Sequence, residues 1–240
     1  MDDRENRIQE NVLRVRDNIE TAARKSGRHS RDITLIAVTK TVQVPDIRVL
    51  TNLGIDDLGE NRAQELLAKK PELNPDLRWH FIGRLQTNKV KSILDKVCLI
   101  HSVDSPRLAM AIDRRAKEIN TVAKILLEVN IGEEPSKGGV NPSDFAEFVE
   151  ALLPLEYISI NGIMCVPPVK KTGLAVDIGK DSHVYFEKAR EVLIDIRKRY
   201  GKLMSMTELS MGMSNDYQEA IEEGATMIRV GTGLFGQRMS

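Results

Sequence analysis

Ile33-Thr34-Leu35-Ile36-Ala37-Val38-Thr39-Lys40-Thr41-Val42 decides the fold. The run up to Thr39 is apolar and β-branched, the composition of a buried strand. Such a strand near the start of an α/β chain opens either a doubly wound sheet or a barrel. A doubly wound nucleotide-binding sheet usually carries a glycine-rich phosphate turn after its first strand. Here that turn is Thr39-Lys40-Thr41-Val42, without a glycine. Its lysine directs an amine into whatever cleft the strand ends in. A desolvated amine is partly free base near neutral pH, and a free amine forms a Schiff base with an aldehyde. Taken alone, a strand-end lysine reaching solvent is the plainer account of Lys40.

Working outward, helical and strand patterns alternate along the chain. Ile8, Val12, Val15, Ile19 and Ala22 recur at spacings of three and four, giving an amphipathic opening helix that Gly27 can end. Strand patterns follow at 33–40, 57–61, 79–83, 97–103, 123–131, 158–166, 206–211 and 226–231, with apolar helical stripes between them. Alternation of this kind implies parallel pairing, because parallel strands need crossovers. Eight such units in 240 residues match a (β/α)8 TIM barrel. The expectation is one barrel domain spanning 1–240 with an extra amino-terminal helix. The segment 167–181 is the least patterned and reads as a mobile loop.

Bulk properties exclude several function classes. Lys plus Arg and Asp plus Glu number 35 each, so the formal net charge is zero, which argues against a globally basic nucleic-acid binder. The small basic patch of Arg84, Lys89 and Lys91 reads as a solvated helix face. No apolar run approaches the roughly 20 residues of a membrane span, and the charged amino terminus does not read as a signal peptide. Cys98 and Cys165 fall within apparent strands and read as buried free thiols of a cytoplasmic protein, with no metal site.

In a barrel, chemistry sits at the carboxyl ends of the strands. Polar residues collect there: Lys40, Asn61, His80, Arg84, His101, Asp104, Glu128, Asn130, Ser210 and Arg229. Glu128 and Arg229 admit a second reading, an internal ion pair holding the barrel layers. The segment Arg229-Val230-Gly231-Thr232-Gly233 places glycines after the last strand, where exposed N–H groups at a helix start form an anion site. Thr232 adds a hydroxyl, and Ser210-Met211-Gly212-Met213-Ser214 forms a second small-residue turn. An amine and a phosphate cradle together suggest a phosphorylated aldehyde, and pyridoxal 5′-phosphate (PLP) carries both groups. An arginine facing the pyridine nitrogen would leave that nitrogen unprotonated, since guanidinium cannot accept a proton, and would weaken the ring as an electron sink.

These segments resemble the YggS/PROSC-like PLP homeostasis proteins from end to end. The resemblance rests on Ala37-Val38-Thr39-Lys40, Leu58-Gly59-Glu60-Asn61-Arg62-Ala63-Gln64-Glu65, and Trp79-His80-Phe81-Ile82-Gly83-Arg84-Leu85-Gln86-Thr87-Asn88-Lys89. It continues through Ile100-His101-Ser102-Val103-Asp104, Gly162-Ile163-Met164, Leu209-Ser210-Met211-Gly212-Met213-Ser214-Asn215-Asp216 and Arg229-Val230-Gly231-Thr232. Asn215 stands where the pattern has an acidic or small polar residue. The resemblance implies a barrel like the amino-terminal domain of alanine racemase. It implies an internal aldimine between PLP and Lys40, with Arg229 facing the pyridine nitrogen, Ser210, Gly231 and Thr232 at the phosphate, and Met211 among the cofactor-binding residues. Asn61 and His80 then line the ring pocket, although His80 reads equally as a core histidine satisfied by backbone groups.

The function so implied is intracellular PLP homeostasis: a carrier or buffer that passes PLP to apo-enzymes and affects amino-acid and keto-acid balance. A monomer is expected, because no extended apolar surface segment is left unassigned. The alternative is a weak PLP-dependent racemase or related α-carbon enzyme. Racemisation needs acid–base groups on both faces of the substrate carbon, and no tyrosine falls at a strand's carboxyl end. A third reading is a barrel enzyme that forms a Schiff base between Lys40 and a sugar phosphate.

Overall fold

The computed structural model describes residues 3–134, 138–168, 179–201 and 205–237. Eight parallel strands close into a barrel in chain order. They are β1 (Thr34–Val38), β2 (Asp57–Glu60), β3 (Arg78–Phe81), β4 (Leu99–Val103), β5 (Ala123–Val129), β6 (Ile158–Cys165), β7 (Glu208–Ser210) and β8 (Met227–Val230). Closure comes from β8 pairing with β1, Thr34 opposite Met227 and Ala37 opposite Val230, so no sheet edge is left. This is the expected (β/α)8 TIM barrel.

The helices are α1 (Asp3–Lys25), α2 (Val44–Asn52), α3 (Ala63–Lys69), α4 (Val90–Ile93), α5 (Pro106–Glu118), α6 (Phe145–Leu152), α7 (Gly179–Tyr200), α8 (Tyr217–Glu222) and α9 (Thr232–Phe235). Among the described residues none is long and apolar enough to cross a membrane. The strand expected over 206–211 shrinks to Glu208–Ser210, the three residues that pair with Gly162, Ile163 and Met164 of β6. Most of the loop expected at 167–181 lies outside the described residues.

Strand alternation sorts the side chains into two sets. Ala37, Leu58, Trp79, Ile100, Ile163 and Leu209 point outward into the apolar layer under the helices. Leu99, Leu126 and Met164 point inward, with Met227 packed on them. Helix α1 lays Ile8, Val12, Val15 and Ile19 against the same outer layer. It also reaches the end of the chain, where Asn11 Nδ2 donates to Leu234 O of α9 at 3.0 Å.

Candidate functional site

The adjacent strands β8, β1 and β2 bring their carboxyl ends to one sector of the barrel mouth. Lys40 follows β1, Asn61 follows β2, and Gly231 and Thr232 follow β8. Close approach welds the first and last of these together: a Cβ on Gly231 would lie 3.4 Å from Val38 Cβ. Lys40 is half-buried, and among the described residues its side chain has no hydrogen-bond or ion-pair partner.

The turn that carries Lys40 is held from below. Thr41 sits at φ 60, a left-handed conformation that a β-branched residue adopts at a cost of roughly 1–3 kcal/mol. Its N–H donates to Glu65 Oε2 at 2.7 Å. Lys69 donates to Glu65 Oε2, Glu60 Oε1 and the Thr39 carbonyl, each at 2.8 Å. Thr39 Oγ1 donates to the same Glu60 oxygen at 2.6 Å. Glu60 is fully buried and Lys69 nearly so. A buried cluster therefore over-determines the strained turn. The sequence reading missed Lys69, because its value lies in a contact with β2 rather than in a strand-end position.

Asn61 sits at the inward parity of β2, and its Oδ1 is buried without a partner. Gly83 presses on this residue: a Cβ there would come within 2.3 Å of Asn61 O, so only glycine fits. An orphaned amide oxygen at the mouth is a group suited to a polar ligand.

At the last turn, Gly231 N–H and Gly233 N–H both donate to Ser214 Oγ, each at 3.1 Å. Two backbone donors thus converge on one point, the arrangement an anion oxygen needs. Asp216 fixes the turn that presents Ser214 by accepting from Met213 N–H at 2.6 Å. Thr232 is exposed beside it.

Ser210, expected at the phosphate, and Met211, expected at the cofactor, are engaged within the protein. Ser210 is fully buried inside the barrel, and its hydroxyl is engaged by Arg229 Nη1 at 2.5 Å and by His101 Nδ1 at 2.9 Å. Met211 belongs to the outer apolar layer, and its N–H donates to Met227 O at 3.1 Å. The hydroxyl that meets the Gly231 and Gly233 N–H groups is that of Ser214. His80 is likewise an interior histidine. Its Nε2 lies 2.9 Å from Asp57 Oδ1 and its Nδ1 3.0 Å from His101 Nε2. Its partners are side chains, not the backbone groups expected. Cys98, expected in a strand, is exposed just before β4; Cys165 is buried, as read.

Arg229 projects from β8 into the barrel, 4% exposed. Its Nη2 donates to Cys165 O at 2.9 Å. Among the described residues it makes no ion pair with Glu128, so the internal ion-pair reading fails. Burial lowers the Arg229 pKa, opposed by the Cys165, Asp216 and Glu128 side chains. Glu128 on β5 is pushed up to about 7, by burial first and by Asp104 second, against Arg229 and Arg84.

PLP suits this arrangement. An unpartnered amine, an orphaned amide, a buried guanidinium without a carboxylate and two convergent N–H groups surround one mouth. The chain matches the family described as alanine racemase, N-terminal domain, over residues 11–239. It is 44% identical over 230 residues to a pyridoxal phosphate homeostasis protein of Aquifex aeolicus, covering 95% of this chain and 97% of that one. This chain belongs to the pyridoxal phosphate homeostasis protein family. PipY of Synechococcus elongatus, solved with PLP bound, is 38% identical with a TM-score of 0.77, covering 85% of this chain and 93% of PipY. An alanine racemase of Clostridium difficile shares the family's fold, with a TM-score of 0.71 at 17% identity over 98% of this chain and 58% of the racemase.

Proposed function

We propose that this chain binds PLP, holds it as a Schiff base on Lys40, and serves PLP homeostasis in the cytoplasm by storing the cofactor and handing it to apo-enzymes. The observation that carries the reading is the unpartnered Lys40 amine in the same sector as the convergent Gly231 and Gly233 N–H groups. The names of the relatives and the PLP bound in PipY support it. PLP supplies an aldehyde that a free amine captures reversibly.

The residues divide the work. Lys40 is the tether. Gly231, Thr232, Gly233 and Ser214 hold the phosphate. Asn61 meets a polar edge of the ring, and Arg229 faces its nitrogen. An arginine there cannot accept a proton, so the site holds the ring without drawing electrons into it, which suits storage over turnover. The weak-racemase alternative loses support, because the likeness to alanine racemase is one of fold and the relatives at higher identity carry the homeostasis name. The protein acts as a single 240-residue domain and a monomer.

Saturation with PLP should give a yellow protein, and borohydride reduction followed by peptide mapping should leave the label on Lys40. Lys40→Ala should remove the band. A wild-type protein that takes up no PLP sinks the proposal.

A further inference from the structure

The barrel interior holds a line of polar side chains that the reading above does not use. Arg78 grips Asp57 with two bonds, at 2.8 and 2.6 Å, at the mouth opposite the candidate site. Asp57 meets His80, His80 meets His101, His101 meets Ser210, and Ser210 meets Arg229, with no link longer than 3.0 Å. The five residues come from β2, β3, β4, β7 and β8. Their burial has a desolvation cost that an apolar interior would avoid.

We propose that Asp57, His80, His101 and Ser210 are positioning residues that lock the Arg229 guanidinium in the orientation from which it meets the ring nitrogen of bound PLP. The inference rests on the PLP-binding reading above.

With His80 protonated, each hydrogen bond has a fixed direction. His101 is held well below the usual histidine pKa by burial and by the charges of His80 and Arg229, so it is neutral. Burial pulls His80 down, but bonds to Asp57 and Cys98 outweigh it and lift the pKa to about 9. Protonated His80 donates from both nitrogens, Nε2–H to Asp57 and Nδ1–H to His101 Nε2. His101 must then carry its proton on Nδ1 and donate to Ser210 Oγ. That hydroxyl accepts from Arg229 Nη1 with its other lone pair. Arg229 is thereby pinned by two neutral acceptors, a hydroxyl and the Cys165 carbonyl, and keeps its full charge for the ligand. Were His80 neutral with its proton on Nε2, His101 would have to turn its proton toward His80. Ser210 would then donate to His101 and still accept from Arg229, so the lock would survive with its inner bonds reversed. The charged or titratable groups facing the chain are Cys98 and Arg78 at one end and Cys165, Asp216 and Glu128 at the other.

Two measurements test this. In the ligand-free wild type, ¹⁵N histidine NMR near neutral pH should show one doubly protonated ring with a raised pKa and one neutral ring protonated on Nδ1. Assignment uses His80→Gln and His101→Asn. In PLP-loaded protein, the visible band is titrated from about pH 6 to about pH 10 for wild type, Asp57→Asn, His80→Gln and Ser210→Ala. The folded variants should still be labelled at Lys40 by borohydride. They should bind PLP about tenfold more weakly, the worth of one hydrogen bond, and their band should titrate at a different pH. Two histidine rings that both titrate near the ordinary value of about 6.5, as unlinked imidazoles do, overturn the proposal even where the variants fail to fold. So do folded variants with wild-type affinity and titration. Wild type that takes up no PLP defeats the binding reading instead, a separate outcome.

Discussion

Glu128 shows how a single side chain reports on the mouth. Its folded pKa of about 7 lies above its unfolded value. A carboxyl raised in this way contributes fully below the unfolded pKa, and the contribution is lost as pH rises through the folded one. Above about pH 7 the fold must hold an ionised, partly buried carboxylate. Glu128→Gln removes that burden. It should stabilise the protein by about 1–2 kcal/mol near pH 8 and by little near pH 5, after discounting for the open mouth. Thermal melts at the two pH values check this, and an equal effect at both contradicts it. The sequence placed Glu128, Lys40, Asn61, Arg229 and Gly231 at strand ends correctly, since alternation shows which face a residue takes. Alternation says nothing of depth along the barrel axis. His80 was therefore assigned to the mouth, while its ring nitrogens are occupied in the interior; Ser210 does end β7, but its hydroxyl is taken by Arg229 and His101.

Elements were more legible than contacts. Helix α1 announced itself by spacing, and the residues picked from that spacing are all buried, with Ala23 beside them. Its task was not legible, because Asn11 and Arg14 meet α9 across more than 200 residues of chain, at Leu234 O and Gly233 O. Helix α1 thus braces the turn that presents the two convergent N–H groups. Ile8→Ala should cost about 2–4 kcal/mol, the range for a large aliphatic side chain cut from a packed interior. Leu13, 56% exposed on the opposite face, should tolerate alanine within about 0.5 kcal/mol. Urea denaturation of both variants distinguishes the faces; a cost at Leu13 matching that at Ile8 would mean that α1 packs differently. β7 shows the limit of pattern reading from the other side. Its ends match the three residues it pairs with on β6, a fact held by another segment.

Across the whole molecule, a closed barrel supplies rigidity and a preformed mouth, part of it from α9 itself. Ligand binding at that mouth therefore adds to stability by mass action alone, as RT ln(1 + [L]/Kd). At 100-fold excess over Kd the gain is about 2.7 kcal/mol, which for a chain of this size raises the melting midpoint by roughly 5–10 °C. The rise should grow with the logarithm of PLP concentration. It should shrink in Lys40→Ala, where the phosphate cradle remains but the covalent tether is gone. Replacing Ser214 with alanine should leave the tether and weaken the cradle, so its shift should fall between the two. Wild type with no midpoint shift at saturating PLP, or Lys40→Ala with the full shift, would mean that the amine and the cradle do not serve one ligand. The barrel would then hold two unrelated features at one end, and the shared sector of β8, β1 and β2 would have no chemical consequence.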